Sequence, residues 1–91
     1  MNNIRNLILR KAIEYYGPGN QRFKAMEELA ELIRALARCD DRKNLAEEIA
    51  DVRIMLDQLE LMLNNHDLVR QIEGEKLMRL GERIHITDVI G

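Results

Sequence analysis

Apolar residues recur along the chain at helical intervals, and breaks in that recurrence divide it into four segments. Ile4, Leu7, Ile8, Ala12 and Tyr15, with Lys11 among them, follow three- and four-residue steps and stop at the turn cluster Gly17-Pro18-Gly19. This predicts a first helix over 3–16. Asn20 reads as the N-cap of a second helix that runs to Arg38 or Cys39 and closes at the polar stretch Asp40-Asp41-Arg42-Lys43. A third helix is expected from about 42 to 64, capped by Asp40 or Asp41 and ended by Asn64-Asn65. A fourth runs from about 67 to 83 with Gly74 as its weak point. The tail 84–90 is too short and mixed to assign.

The third helix has two apolar stripes. At 100° per residue Ile49, Leu56 and Leu63 form one, and Met55, Leu59 and Met62 form another, expected on nearly the opposite side. The first stripe is expected to pack within the subunit and the second to need another surface, most simply the same surface of a second copy. Ninety-one residues are one domain, small enough for a lone core to be marginal, which also favours self-association as a dimer or tetramer.

Composition sharpens the fold class and excludes several roles. Leu, Ile, Ala, Glu, Arg and Met dominate, and one proline and three aromatics suit helices rather than a β-sandwich, so the expected fold is an all-α bundle of about four helices. Fourteen basic and sixteen acidic residues are interspersed, for a net charge of -2, without the basic stripe that tracks a nucleic-acid backbone. No apolar run approaches the roughly 20 residues that span a bilayer, which argues against a membrane role. Cys39 is the single cysteine, and Arg5, Arg10 and Lys11 interrupt any apolar leader core, so a reduced, cytoplasmic setting is expected.

The acids supply the candidate chemistry. Glu48 and Asp51 lie one turn apart on the side of the third helix that continues into Met55, Gln58 and Met62. Glu28 and Glu31 repeat this on the second helix, beside Leu32 and Ala35 and opposite Met26, Ala30, Ile33 and Ala37. Clustering carboxylates toward apolar neighbours is costly unless a cation neutralises them. Four hard oxygen donors without His or Cys select Mg²⁺, Mn²⁺ or Ca²⁺ over zinc or copper. A carboxylate di-iron bundle requires Glu-x-x-His, and neither His66 nor His85 stands three residues after a glutamate.

The stretch Lys24-Ala-Met-Glu27-Glu28-Leu-Ala-Glu31, followed by Asn44-Leu-Ala-Glu47-Glu48-Ile-Ala-Asp51, resembles the E-E-x-x-E … E-x-x-D signature of MazG-like all-α nucleoside triphosphate pyrophosphohydrolases. The leading helix and the late segment 75–83 are similar to small phage and bacterial members. The resemblance implies Mg²⁺-dependent hydrolysis, with Mn²⁺ able to substitute, of a ribo- or deoxyribonucleoside triphosphate to its monophosphate and pyrophosphate. This would control or clean a nucleotide pool. It implies that Glu28, Glu31, Glu48 and Asp51 ligate the metal, and that Glu27 binds a second ion, positions water or faces solvent. Glu31 is favoured as the acceptor of the water proton.

Lys24 is a candidate phosphate contact or an ordinary i,i+4 ion-pair partner. Lys76 and Arg79, which with Arg83 resemble the family's late basic cluster, are further phosphate candidates or a solvated face. Tyr15, Tyr16 and Phe23 are the only aromatics available to stack on a base, but core packing is the expectation for all three. Two alternatives remain: a pyrophosphatase of the same fold selective for dUTP, dCTP or phosphoribosyl-ATP, and a non-catalytic helical interaction module.

Overall fold

The computed structural model describes residues 3–85, and these form four helices without a strand: α1 Asn3–Tyr16, α2 Pro18–Ala37, α3 Arg42–Leu63 and α4 His66–Arg83. A single residue, Gly17, joins α1 to α2 at φ 92°, a conformation that side-chain-bearing residues rarely adopt. Pro18 then opens α2 at N1, where its missing N–H would in any case lack an intrahelical partner. Asn20 is therefore inside α2 rather than its N-cap. Its side-chain amide donates to the Tyr16 carbonyl at 2.7 Å and ties the two helices at their junction.

The end of α2 and the start of α3 are built from specific local bonds. Cys39 N–H donates to Leu36 O and Asp40 N–H to Ala35 O, a Schellman closure that holds Cys39 at φ 57°. Asp41 caps α3 by accepting from the Asn44 N–H at 2.9 Å. Asn64 ends α3 in the left-handed region, at φ 51°, a conformation asparagine tolerates well. Gly74 does not break α4, which passes through it.

Helices α2 and α3 make the principal contact, an antiparallel hairpin on which α1 also packs. The inward line of α2 is Gln21, Ala25 and Ala35, and that of α3 is Val52, Met55 and Gln58; Leu9 of α1 completes the buried set among the described residues. The small alanines let the helix axes approach, and Gln21 donates to Gln58 at 2.7 Å across the buried interface. Arg5 reaches from α1 to Asp57 through Nε at 3.1 Å and through its Nη2.

The inward side of α3 is thus the Met55 side, and the expected order of its two stripes is reversed. Ile49, Leu56 and Leu63 are exposed, while Met55 is buried and Leu59 and Met62 are half-buried. The cause is long-range: Gln21 anchors α2 to the side of α3 that bears Gln58 and Met55. Met26, Leu29, Ile33 and Leu36 form the matching exposed stripe on α2. In an antiparallel hairpin the two stripes, each about 90–100° from its helix's inward line, emerge on one side.

Tyr15, Tyr16 and Phe23 are also exposed, at 81%, 55% and 71%, rather than in the core. The chain's accessible surface is 7549 Å², against about 5,500 Å² for a compact monomer of this mass. Helix α4 packs chiefly on α3 beside their shared turn and has no buried residue. No helix among the described residues is long and apolar enough to cross a membrane.

Candidate metal centre

The hairpin register that pairs Gln21 with Gln58 also sets the acids against one another. Glu28 stands seven residues, two helical turns, after Gln21, and Asp51 stands seven before Gln58. The same antiparallel register places Glu31 opposite Glu48. Glu28, Glu48 and Asp51 each offer a carboxylate oxygen within 4.8 Å of the others'. Glu28 and Glu48 are half-buried and Asp51 is exposed, so the trio opens to solvent on one side.

The electrostatics of the trio centre on Glu48. Its Oε2 is buried without a hydrogen-bond partner. Desolvation, followed by the charges of Glu31, Asp51, Glu28 and Glu47, pushes its carboxyl above the ordinary value of 4.5. Lys24 is held above its ordinary value by its hydrogen bond to Glu28 at 3.1 Å and by the neighbouring charge of Glu27, 3.8 Å away. Glu27 itself is largely exposed.

Of the four expected ligands, Glu31 stands apart from the converging trio. It accepts from Arg34 at 2.7 Å, although its charge still acts on Glu48. Sequence reasoning missed Arg34 and Arg38, whose signal was their spacing: three and seven residues after Glu31, they follow it along the same side of α2. Arg38 donates to Asp40 at 2.9 Å and 3.2 Å, and that contact raises its affinity for the proton; Glu31 and Glu48 contribute more weakly. Lys24 and Arg38 therefore flank the acids at opposite ends of one helical side. Lys76 and Arg79 stand on α4, which has no substantial packing against α2, so within one chain they do not line the acid cluster.

The donor set fits a hard divalent cation. Carboxylate oxygens from two helices converge, one oxygen is buried and unsatisfied, and the open side leaves room for water and phosphate oxygens. Two contacts with neighbouring cations, Lys24 on Glu28 and Arg34 on Glu31, offset part of the acidic charge but leave Glu48 Oε2 without a partner. No family model matches the chain, and no curated protein or solved structure matches it.

Proposed function

We propose that the chain is a Mg²⁺-dependent nucleoside triphosphate pyrophosphohydrolase of the MazG-like kind that works as a homo-oligomer. One observation carries this reading. Glu28, Glu48 and Asp51 bring three hard oxygen donors together, one of them half-buried with an unpaired carboxylate oxygen. A structural acid cluster has no comparable reason to desolvate a carboxylate among like charges.

The three acids would hold the ion, and Mg²⁺ or Mn²⁺ would supply charge neutralisation of phosphate oxygens and acidification of a bound water. Glu31, outside the trio yet beside it, is the acid left to take up the proton of the attacking water. Lys24 and Arg38 are placed to orient the phosphates that the ion leaves unpaired, Arg38 by a planar fork suited to two oxygens. Attack at the α-phosphorus breaks the α–β anhydride, so water and the triphosphate give monophosphate and pyrophosphate. The exposed stripes Met26-Leu29-Ile33-Leu36 and Ile49-Leu56-Leu63 support self-association, because one side of the hairpin is apolar and uncovered.

The test is turnover of a ribo- and deoxyribonucleoside triphosphate panel, including dUTP and dCTP, with Mg²⁺ and with EDTA. Products are to be separated by chromatography. Metal-dependent monophosphate without diphosphate supports the reading and ranks the bases. Folded protein that turns over no triphosphate and binds no Mn²⁺ overturns it and leaves the helical interaction module, which the same exposed stripes favour.

A further inference from the structure

Helix α4 is 18 residues long and none of them is buried. In proteins most helical stability comes from packing of an apolar face, so a partner surface is the expected source of its stability. One side of α4 forms a shallow apolar trough lined by Val69, Ile72, Leu77 and Leu80, with Glu73 and Lys76 set into it. Among the described residues neither Glu73 nor Lys76 has an ion-pair partner.

A second trough runs along the outside of α1. Ile8, Ala12, Tyr15 and Tyr16 line it, with Lys11 and Glu14 at its edge, 3.6 Å apart and both exposed. Each trough therefore carries one acid and one base three residues apart, in opposite order: Lys11 then Glu14 on α1, Glu73 then Lys76 on α4. Laid parallel, the two helices bring Lys11 to the level of Glu73 and Glu14 to the level of Lys76, because both pairs rise about 4.5 Å along their axes.

A chain's own α1 does not take this register: α4 makes no substantial contact with it, and the cleft that His66 and Asp67 share with α1 is lined there by Asn6 and Arg10, not by Ile4, the residue the register sets level with His66. A second copy has no such restriction. Both troughs have apolar surface to bury: Ile8, Tyr15 and Tyr16 on α1 and Leu77 and Leu80 on α4 are each 47–81% exposed.

We propose that α4 of one copy docks in parallel on α1 of a second copy, burying the two troughs against each other with Lys11–Glu73 and Glu14–Lys76 ion pairs across the contact. This rests on the self-association proposed above and assigns it a second contact, separate from the apolar side of the hairpin. Lys76 is thereby an interface residue rather than a phosphate contact.

The test is sedimentation equilibrium of the full chain and three charge-reversed variants: Lys11→Glu with Glu14→Lys, Glu73→Lys with Lys76→Glu, and all four together. Each two-site variant places like charges across the contact and should raise the Kd of self-association about tenfold, whereas the four-site variant should restore it to within about threefold. A second readout uses mixed Tyr15→Cys and Leu77→Cys chains, both in a Cys39→Ser background. Under oxidising glutathione they should form a mixed disulfide dimer, since positions 15 and 77 share a level in this register. If wild type associates while no reversal changes Kd and no mixed disulfide forms, the docking is overturned and self-association stands. If wild type sediments as a monomer at all concentrations, self-association itself fails.

Discussion

Replacing Gln58 by Leu removes the acceptor of the one hydrogen bond that crosses the buried α2–α3 interface among the described residues, and leaves the Gln21 amide facing an apolar neighbour. Both side chains are nearly inaccessible, at 6% and 4%, and their contact is 2.7 Å. Leaving a buried neutral donor unpaired costs about 1–3 kcal/mol, against a total stability of roughly 5–14 kcal/mol for a chain of this length. At about 4–8 °C per kcal/mol the expected fall in Tm is about 5–20 °C. Gln21→Leu should be comparably damaging. The combination should recover most of the loss, because two leucines leave no unpaired polar group. Thermal denaturation of the four proteins at one fixed concentration gives the coupling energy directly.

The acid cluster supplies the second half of this prediction. The glutamines stand two turns from Glu28 and Asp51, so they hold the register that brings those acids together. The double-leucine protein, stable but without that constraint, should bind Mn²⁺ several-fold more weakly than wild type. Additive single effects below about 0.5 kcal/mol would refute the buried bond. Unchanged Mn²⁺ affinity in the double variant would refute its role in register.

Glu48→Gln removes the acid whose ionised form is disfavoured, so its metal-free form should lose a pH dependence seen in wild type. Since the folded-state value of Glu48 lies above 4.5, its contribution to wild-type stability is fully present below 4.5 and is lost as pH rises through the folded value. Melting of both proteins in EDTA across that range checks the sign, and Mn²⁺ titration checks the expected loss of metal binding. Arg38→Ala and Lys24→Ala should each raise KM for a nucleoside triphosphate about tenfold while leaving Mn²⁺ affinity nearly unchanged; steady-state kinetics and Mn²⁺ titration separate the two effects. Cys39→Gly should stabilise the chain by about 0.5–1.5 kcal/mol, since glycine occupies the left-handed position without a Cβ conflict, and denaturant melts at constant m-value report it.

Much of the helical framework was legible because it is local. The apolar period ends at Gly17, Asp41 is followed three residues later by the N–H it accepts from, and Asn64 tolerates the left-handed turn that ends α3. The start of α2 was misread because Asn20 looked like a cap, whereas Pro18 already occupies N1. The inward side of α3 was misread for a different reason. Its two stripes are similarly apolar, and the choice between them is made by Gln21, 37 residues from its partner Gln58.

The carboxylate pairs were visible as i,i+3 repeats, and three of the four acids do converge. Their convergence depends on a hairpin register that no local pattern displays. Arg34 captures Glu31 from one turn away, a local competition that the spacing did contain. Lys76 and Arg79 were grouped with the acids by resemblance alone, while in space they follow α4 away from the α2 side of the hairpin.

The four-residue link between α2 and α3, Arg38 to Asp41, has a consequence for the order of events as the chain folds. It makes the acid-bearing hairpin a unit of neighbouring segments, the kind of topology that forms in about microseconds to milliseconds because little loop entropy is lost before contacts are made. Encounter between copies is bimolecular and slows on dilution. The acid cluster therefore comes together within a single chain, and its formation keeps the same half-time whether the protein is dilute or concentrated.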